Sequence, residues 1–120
     1  APPNPEVEAQ GKDVPTVQGS YCWDSLLRSQ CVDKTYRDGL DLVKGQKPIV
    51  VSAGEPVSIE LSGTIESMEL TQWNDQKKSS SVTLKDDQFK APTKPGVYAY
   101  ELQSRWKKGD GQFGFSLKVQ

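Results

Sequence analysis

Residues Val97 to Val119 read VYAYELQSRWKKGDGQFGFSLKV, two alternating runs with turn-forming residues between them. Side chains two apart on a strand share one side of the sheet. Tyr98, Tyr100, Leu102 and Trp106 therefore fall on one face of the first run, and Phe113, Phe115, Leu117 and Val119 on one face of the second. The intervening KKGDG supplies the glycine and aspartate that tight turns require, so the spacing predicts a β-hairpin.

Upstream the chain keeps the same character. FKAPTKPG at 89 to 96 is extended and ends in a Pro-Gly turn, and a short strand is expected at Ser81 to Leu84 with a turn at Lys85 to Gln88. NDQKKSSS, 74 to 81, reads as a polar loop, and TIESMELTQW before it as a strand in which Met68, Leu70 and Gln72 alternate. IVVSAGEPVSIELSG, 49 to 63, gives a β-branched run, a turn at Ala53 to Pro56 and a strand with Val57, Ile59 and Leu61 inward. Only DKTYRDGLDLVKG departs from period two: Tyr36, Leu40 and Val43 suit one or two helical turns near 35 to 44, stopped by Gly45 and weakened by Gly39. Toward the start, EVEAQGKDVPTVQ suggests an edge strand, a turn at Gln10 to Asp13 and a second strand near Val14 to Gln18. The opening APPNP, residues 1 to 5, has three prolines and reads as a flexible tether.

Short strands about ten residues apart with almost no helical period indicate an all-β domain over residues 6 to 120, an antiparallel immunoglobulin-like sandwich, with a closed barrel as the alternative. With 120 residues, 34% of them hydrophobic, there is room for one modest core. Fifteen basic and sixteen acidic side chains leave a net charge of -1, which gives no global field for a polyanion and no specific nucleic-acid reading. No apolar run reaches the roughly 18 residues of a membrane span, and APPNPEVEAQGKD lacks the regions of a signal peptide, so the chain is either cytosolic or a mature form.

The two cysteines arbitrate between those readings. Cys22 and Cys31 have no histidine or third thiol beside them, which disfavours zinc, and their spacing is not that of a thioredoxin-like redox pair. A disulfide is left, with two buried free thiols as the plain alternative. A persistent disulfide implies an oxidising compartment and an extracellular protein.

Nucleophilic catalysis through a Ser-His-Asp or Cys-His set is closed to a chain without histidine. Asp38 with Asp41, and Asp86 with Asp87, are the carboxylate pairs that a glycosidase or calcium site would draw on, but DGLDL is not a calcium loop and turn residues account for all four. No catalytic residue, metal ligand or cofactor is assigned. Of the tryptophans, Trp23 is expected to pack on the disulfide. Trp106, with Arg105, Lys107 and Lys108 beside it, is either a core residue closing one end of the sandwich or an exposed basic-aromatic tip, with Trp73 nearby.

Two resemblances bear on this. FKAPTKPGVYAY is similar to the copper-binding cupredoxins' segment in which a Pro-Gly turn leads into an aromatic strand. That strand ends in a cysteine followed by a histidine; here Leu102 stands at the corresponding end and the chain has no histidine, so copper electron transfer is excluded. VPTVQGSYCWDS, DGLDLVKGQKPIVVSAGEPV and FKAPTKPGVYAYELQSRW, in that order between residues 14 and 106, resemble small lipoprotein-type surface domains of Gram-positive bacteria. The resemblance implies an exported domain held by a lipid-modified cysteine and a tether, into which APPNP would fit. No cysteine stands at position 1, so such an anchor would lie outside this chain. It carries no catalytic residues.

The reading is a non-enzymatic extracellular or cell-surface binding module, monomeric, with a protein, a cell-wall polymer or a membrane surface as partner. A protease-inhibitor-like domain presenting an exposed apolar loop is one alternative. The other is a structural accessory domain of a surface assembly, which would turn Trp106 into the core.

Overall fold

The computed structural model describes residues 1 to 120. It is all-β apart from one helical turn, and two sheets face each other across one core. The smaller sheet has the order β2-β1-β6-β9, formed by β1 (Glu6–Ala9), β2 (Lys12–Val14), β6 (Pro56–Glu60) and β9 (Gln88–Lys90). The larger has β3 (Val17–Asp24), β4 (Ser29–Val32), β7 (Ile65–Trp73), β8 (Ser79–Val82), β10 (Gly96–Trp106) and β11 (Gly109–Val119) in the order β4-β3-β11-β10-β7-β8. A seventh strand, β5 (Ile49–Val51), pairs parallel with the end of β11 at Leu117 to Val119, while β3 pairs antiparallel with its beginning. One edge of β11 is thus shared by two strands in succession.

The hairpin expected from the alternating runs is the spine of the larger sheet. β10 and β11 pair without interruption from Gly96 with Val119 to Trp106 with Gly109. Their core-facing residues are Tyr98, Tyr100, Leu102, Trp106, Phe113, Phe115, Leu117 and Val119, all buried, and they meet Val7, Ala9, Val57, Ile59 and Phe89 of the smaller sheet. Tyr100 stacks on Phe115 with ring centroids 4.9 Å apart, and Phe89 closes on Tyr100 at 5.0 Å. Such aromatic pairs add to the area they bury. Tyr100 also donates to Gln72 Oε1 at 2.8 Å, so its hydroxyl is satisfied inside the core.

The helical turn, α1 (Gly39–Leu42), is capped by Asp38, whose side chain accepts from Asp41 N at 2.9 Å, and the chain leaves it through Gly45 at φ 93°. It covers the outer face of the larger sheet, burying Leu42 and Val43 there. Gly39, which weakens the helix in sequence, is required by packing: the Trp73 ring occupies the space where a Cβ would stand.

Several boundaries move. The stretch read as one strand from Val14 to Gln18 is broken between β2 and β3, where Pro15 lacks the donor a continuous ladder needs. Ser79 to Ser81 belong to β8 rather than to the loop, because they pair with Trp73 to Thr71 on β7. The first five residues form no strand, as three prolines dictate, but Pro2 and Pro5 are buried, and Pro2 stands over Gly111 on the core side of β11.

Candidate functional site

The sequence pointed to Trp73, Arg105, Trp106, Lys107 and Lys108 as one surface at the end of the last hairpin. The structure separates them. Trp106 is only 3% exposed, its Nε1 donates to Ser62 O at 2.7 Å, and its ring meets Trp23 edge to face at 5.4 Å and Phe113 at 6.3 Å. It closes the core. Trp73 lies opposite Ala99, seven residues along β10 from Trp106, or roughly 23 Å of strand. It is half-buried beneath α1 and belongs to the other end of the sheet.

Trp23 is likewise not where the sequence placed it. Neighbouring residues on a strand face opposite ways, so Trp23 turns inward onto Trp106 while Cys22 turns to the outer face. The disulfide itself is present: Cys22 and Cys31 stand opposite each other on β3 and β4, with Cα atoms 4.0 Å apart and no other cysteine in the chain.

What the fold does gather at this end are two hairpin tips. The backbone N of Asp24 donates to Lys108 O at 2.8 Å, which ties the stapled β3–β4 hairpin to the β10–β11 turn. Gly109 makes the approach possible, at φ 151° and with Cys22 O lying where its Cβ would be. Beyond the disulfide, Ser25 N and Ser25 Oγ both donate to Arg28 O, at 2.8 and 2.9 Å. The turn they close has Leu26 and Leu27 at its two central positions. Hairpin turns normally put glycine, asparagine or aspartate there, as this chain does with Asp86 and Asp87 at φ 53° and 60°. Leu26 is 99% exposed and Leu27 91%. Around them Arg28, Lys107 and Lys108 are exposed and form no ion pair; the molecule's one salt bridge is Arg37 with Asp41, at 3.8 Å.

A signal for this tip was present in the sequence. Leu26 lies four residues after Cys22 and Leu27 four before Cys31, so cysteines facing each other across a hairpin place the two leucines at its apex. Large aromatic rings mark binding surfaces more often than leucines do, but here Trp23 and Trp106 close the core and Trp73 lies half-buried beneath α1.

Arg105 faces away from the core, opposite Asp110, and both line an open polar groove of about 330 Å³ on the outer face of the larger sheet, with Glu69, Gln103, Gln112 and Asp33. Asp110 Oδ1 accepts from Cys22 N at 3.2 Å. Next to this groove the Tyr36 hydroxyl donates to Gln112 Oε1 and lies against Glu101. Burial pushes the Tyr36 hydroxyl up to about 12, with the Glu101 carboxylate adding to the rise. Burial also raises Glu101 above the ordinary carboxylate range, and the neighbouring Tyr36 hydroxyl only partly offsets it. The four aspartates singled out in sequence are turn and cap residues: Asp38 caps α1, Asp41 accepts from Arg37 N at 3.0 Å, and Asp86 and Asp87 make the turn before β9. No helix is long and apolar enough to cross a membrane.

Compared with protein-family models, curated proteins and solved structures, the chain matches none.

Proposed function

We propose that this protein is a non-enzymatic binding module that works outside the cell, and that its contact surface is the stapled end of the sandwich. The observation that carries the reading is the pair Leu26 and Leu27, held clear of the fold by a disulfide and a closed turn. Large apolar side chains gain about 1.5 to 3 kcal/mol each when they leave water, and nothing in this chain covers these two. The disulfide supports an oxidising compartment, and with it the extracellular placement. Anchoring through a lipid upstream of Ala1 is part of the same proposal and rests on the sequence resemblance alone.

The buried Trp106 favours a second reading, a structural accessory domain whose ends only space other parts of an assembly. A spacer gives no reason for two solvated leucines. The inhibitor reading gains an exposed apolar loop but not its shape, since proteases take substrates as extended strands and the tight turn curls Leu26 and Leu27 together.

The experiment is retention of the labelled protein on intact bacterial cells, compared with a variant carrying Leu26→Ser and Leu27→Ser. Retention that the double variant loses supports a contact surface at the tip. Equal retention of both proteins, or none of either, removes it and leaves the accessory domain.

A further inference from the structure

Deepening the binding-module reading, on which this step rests, we infer that the partner of the stapled tip is an anionic lipid surface. Leu26 and Leu27 enter the boundary between headgroups and acyl chains, and Arg28, Lys107 and Lys108 meet the lipid phosphates.

Three observations lead there. The first is shape. A two-residue apex presents far less than the roughly 800 Å² that each partner buries in a stable protein interface, whereas a bilayer accepts a small apolar wedge without a matching pocket. The second is charge. The chain carries a net charge of -1, yet the tip sets three exposed cations, from two different hairpins, beside the two carboxylates Asp24 and Asp110, and that of Asp110 is already engaged by Cys22 N. None of the three cations is ion-paired within the molecule, so all are free for an outside anion. Cations flanking an apolar wedge are the arrangement that a negatively charged membrane attracts and that the bilayer interior then holds. The third is direction. Eleven-residue strands are roughly 36 Å long, more than either of the shorter extents of a molecule of 47 × 29 × 22 Å, which favours a course near the longest axis. The tips of β3–β4 and β10–β11 are joined by the Asp24 to Lys108 hydrogen bond, so both sit at one pole and face a surface together, with the loop before β7 beside them through Lys107 N to Thr64 O.

Flotation with vesicles tests this, using phosphatidylcholine alone and phosphatidylcholine mixed equally with phosphatidylglycerol. The protein should rise with the anionic vesicles, stay behind with the neutral ones, and release progressively as salt is added. Replacing both leucines by serine should weaken the partition by about a hundredfold or more, and Lys107→Ala or Lys108→Ala by about fivefold each. A Leu27→Trp variant adds a readout independent of binding strength: its fluorescence should be quenched by vesicles whose acyl chains are brominated. All variants are compared at matched thermal unfolding, which exposed tip residues should leave unchanged. Absence of flotation with anionic vesicles, or undiminished flotation of the serine variant, overturns the inference. Tip-dependent retention on cells without vesicle binding also overturns it, while leaving the binding-module reading in place with a protein or wall polymer as partner. Self-association in sedimentation that the serine variant abolishes would put a second copy of the chain in place of the lipid.

Discussion

Trp106 stands at the end of a strand, beside a lysine pair, where sequence allows either a core residue or a surface one. Its even position along β10, shared with Tyr98, Tyr100 and Leu102, faces the core, and Ser62 O is there to take its Nε1 proton. Trp106→Ala should therefore destabilise the fold by about 3 to 5 kcal/mol in urea unfolding, while Lys107→Ala should leave the midpoint nearly unchanged. A near-neutral Trp106→Ala would contradict the packing. Glu101 yields a prediction of a different kind. Its folded-state pKa lies above the unfolded one, so the folded protein holds the extra proton between the two values. That contribution is complete below the ordinary carboxylate range, about pH 4, and is lost as pH rises through the folded value. Glu101→Gln should flatten the fall in stability between about pH 4 and neutrality and raise the urea midpoint at neutral pH. If the variant and the parent lose stability in parallel, burial at Glu101 is not what titrates.

At the scale of elements, α1 and the stapled hairpin show opposite relations between local sequence and position. The helix is short and weak by propensity, and only its packing across the outer face of the larger sheet holds it. Gly39→Ala, favourable for an isolated helix, should here cost about 1 to 3 kcal/mol because the new methyl group meets the Trp73 ring. Thermal unfolding of that single variant decides whether propensity or packing governs. The hairpin of β3 and β4 depends instead on its covalent link. Breaking Cys22–Cys31, by reduction or by changing both to serine, should lower stability by roughly 2 to 3 kcal/mol, as expected for a loop of about ten residues. The core sheets should survive, with the loss of amide protection concentrated in residues 22 to 31. Global unfolding on reduction would mean that the staple supports far more than its own hairpin.

For the molecule as a whole, the two sheets share one core and one long central hairpin, so neither has a separate interior to retain. Urea unfolding of a Trp73→Phe variant followed by tryptophan fluorescence, which then watches Trp23 and Trp106 at one pole, should coincide with unfolding followed by backbone circular dichroism. Separate transitions would show that the stapled pole opens on its own. The two poles also differ in what they expose: the apex leucines with Arg28, Lys107 and Lys108 at one, and at the other a half-buried Trp73 beneath α1.

What a strand needs is written locally, and that part was legible. Alternation over 98 to 106 and 113 to 119 marked the central hairpin, Lys85 to Gln88 a turn, Gly45 the end of the helical turn, and a lone pair of cysteines in a chain without histidine a disulfide. These follow from the period of a pleated chain and from the few residues that tolerate a turn, so the sequence by itself determined the all-β class, the spine of the larger sheet and which of its side chains share a face. Which strands neighbour one another was not legible, because pairing such as that of β5 along β11 joins residues nearly seventy positions apart through contacts that no short window contains. Nor was the sorting of the tryptophans, since a ring of the same chemistry suits a core or a surface equally until its neighbours are known. Only the tertiary structure buried Trp106, carried Trp73 to the opposite end, and brought two cationic turns together beneath an uncovered pair of leucines. Those outcomes depend on long-range strand register, which decides what lies next to a side chain after its own strand has decided only which way it points.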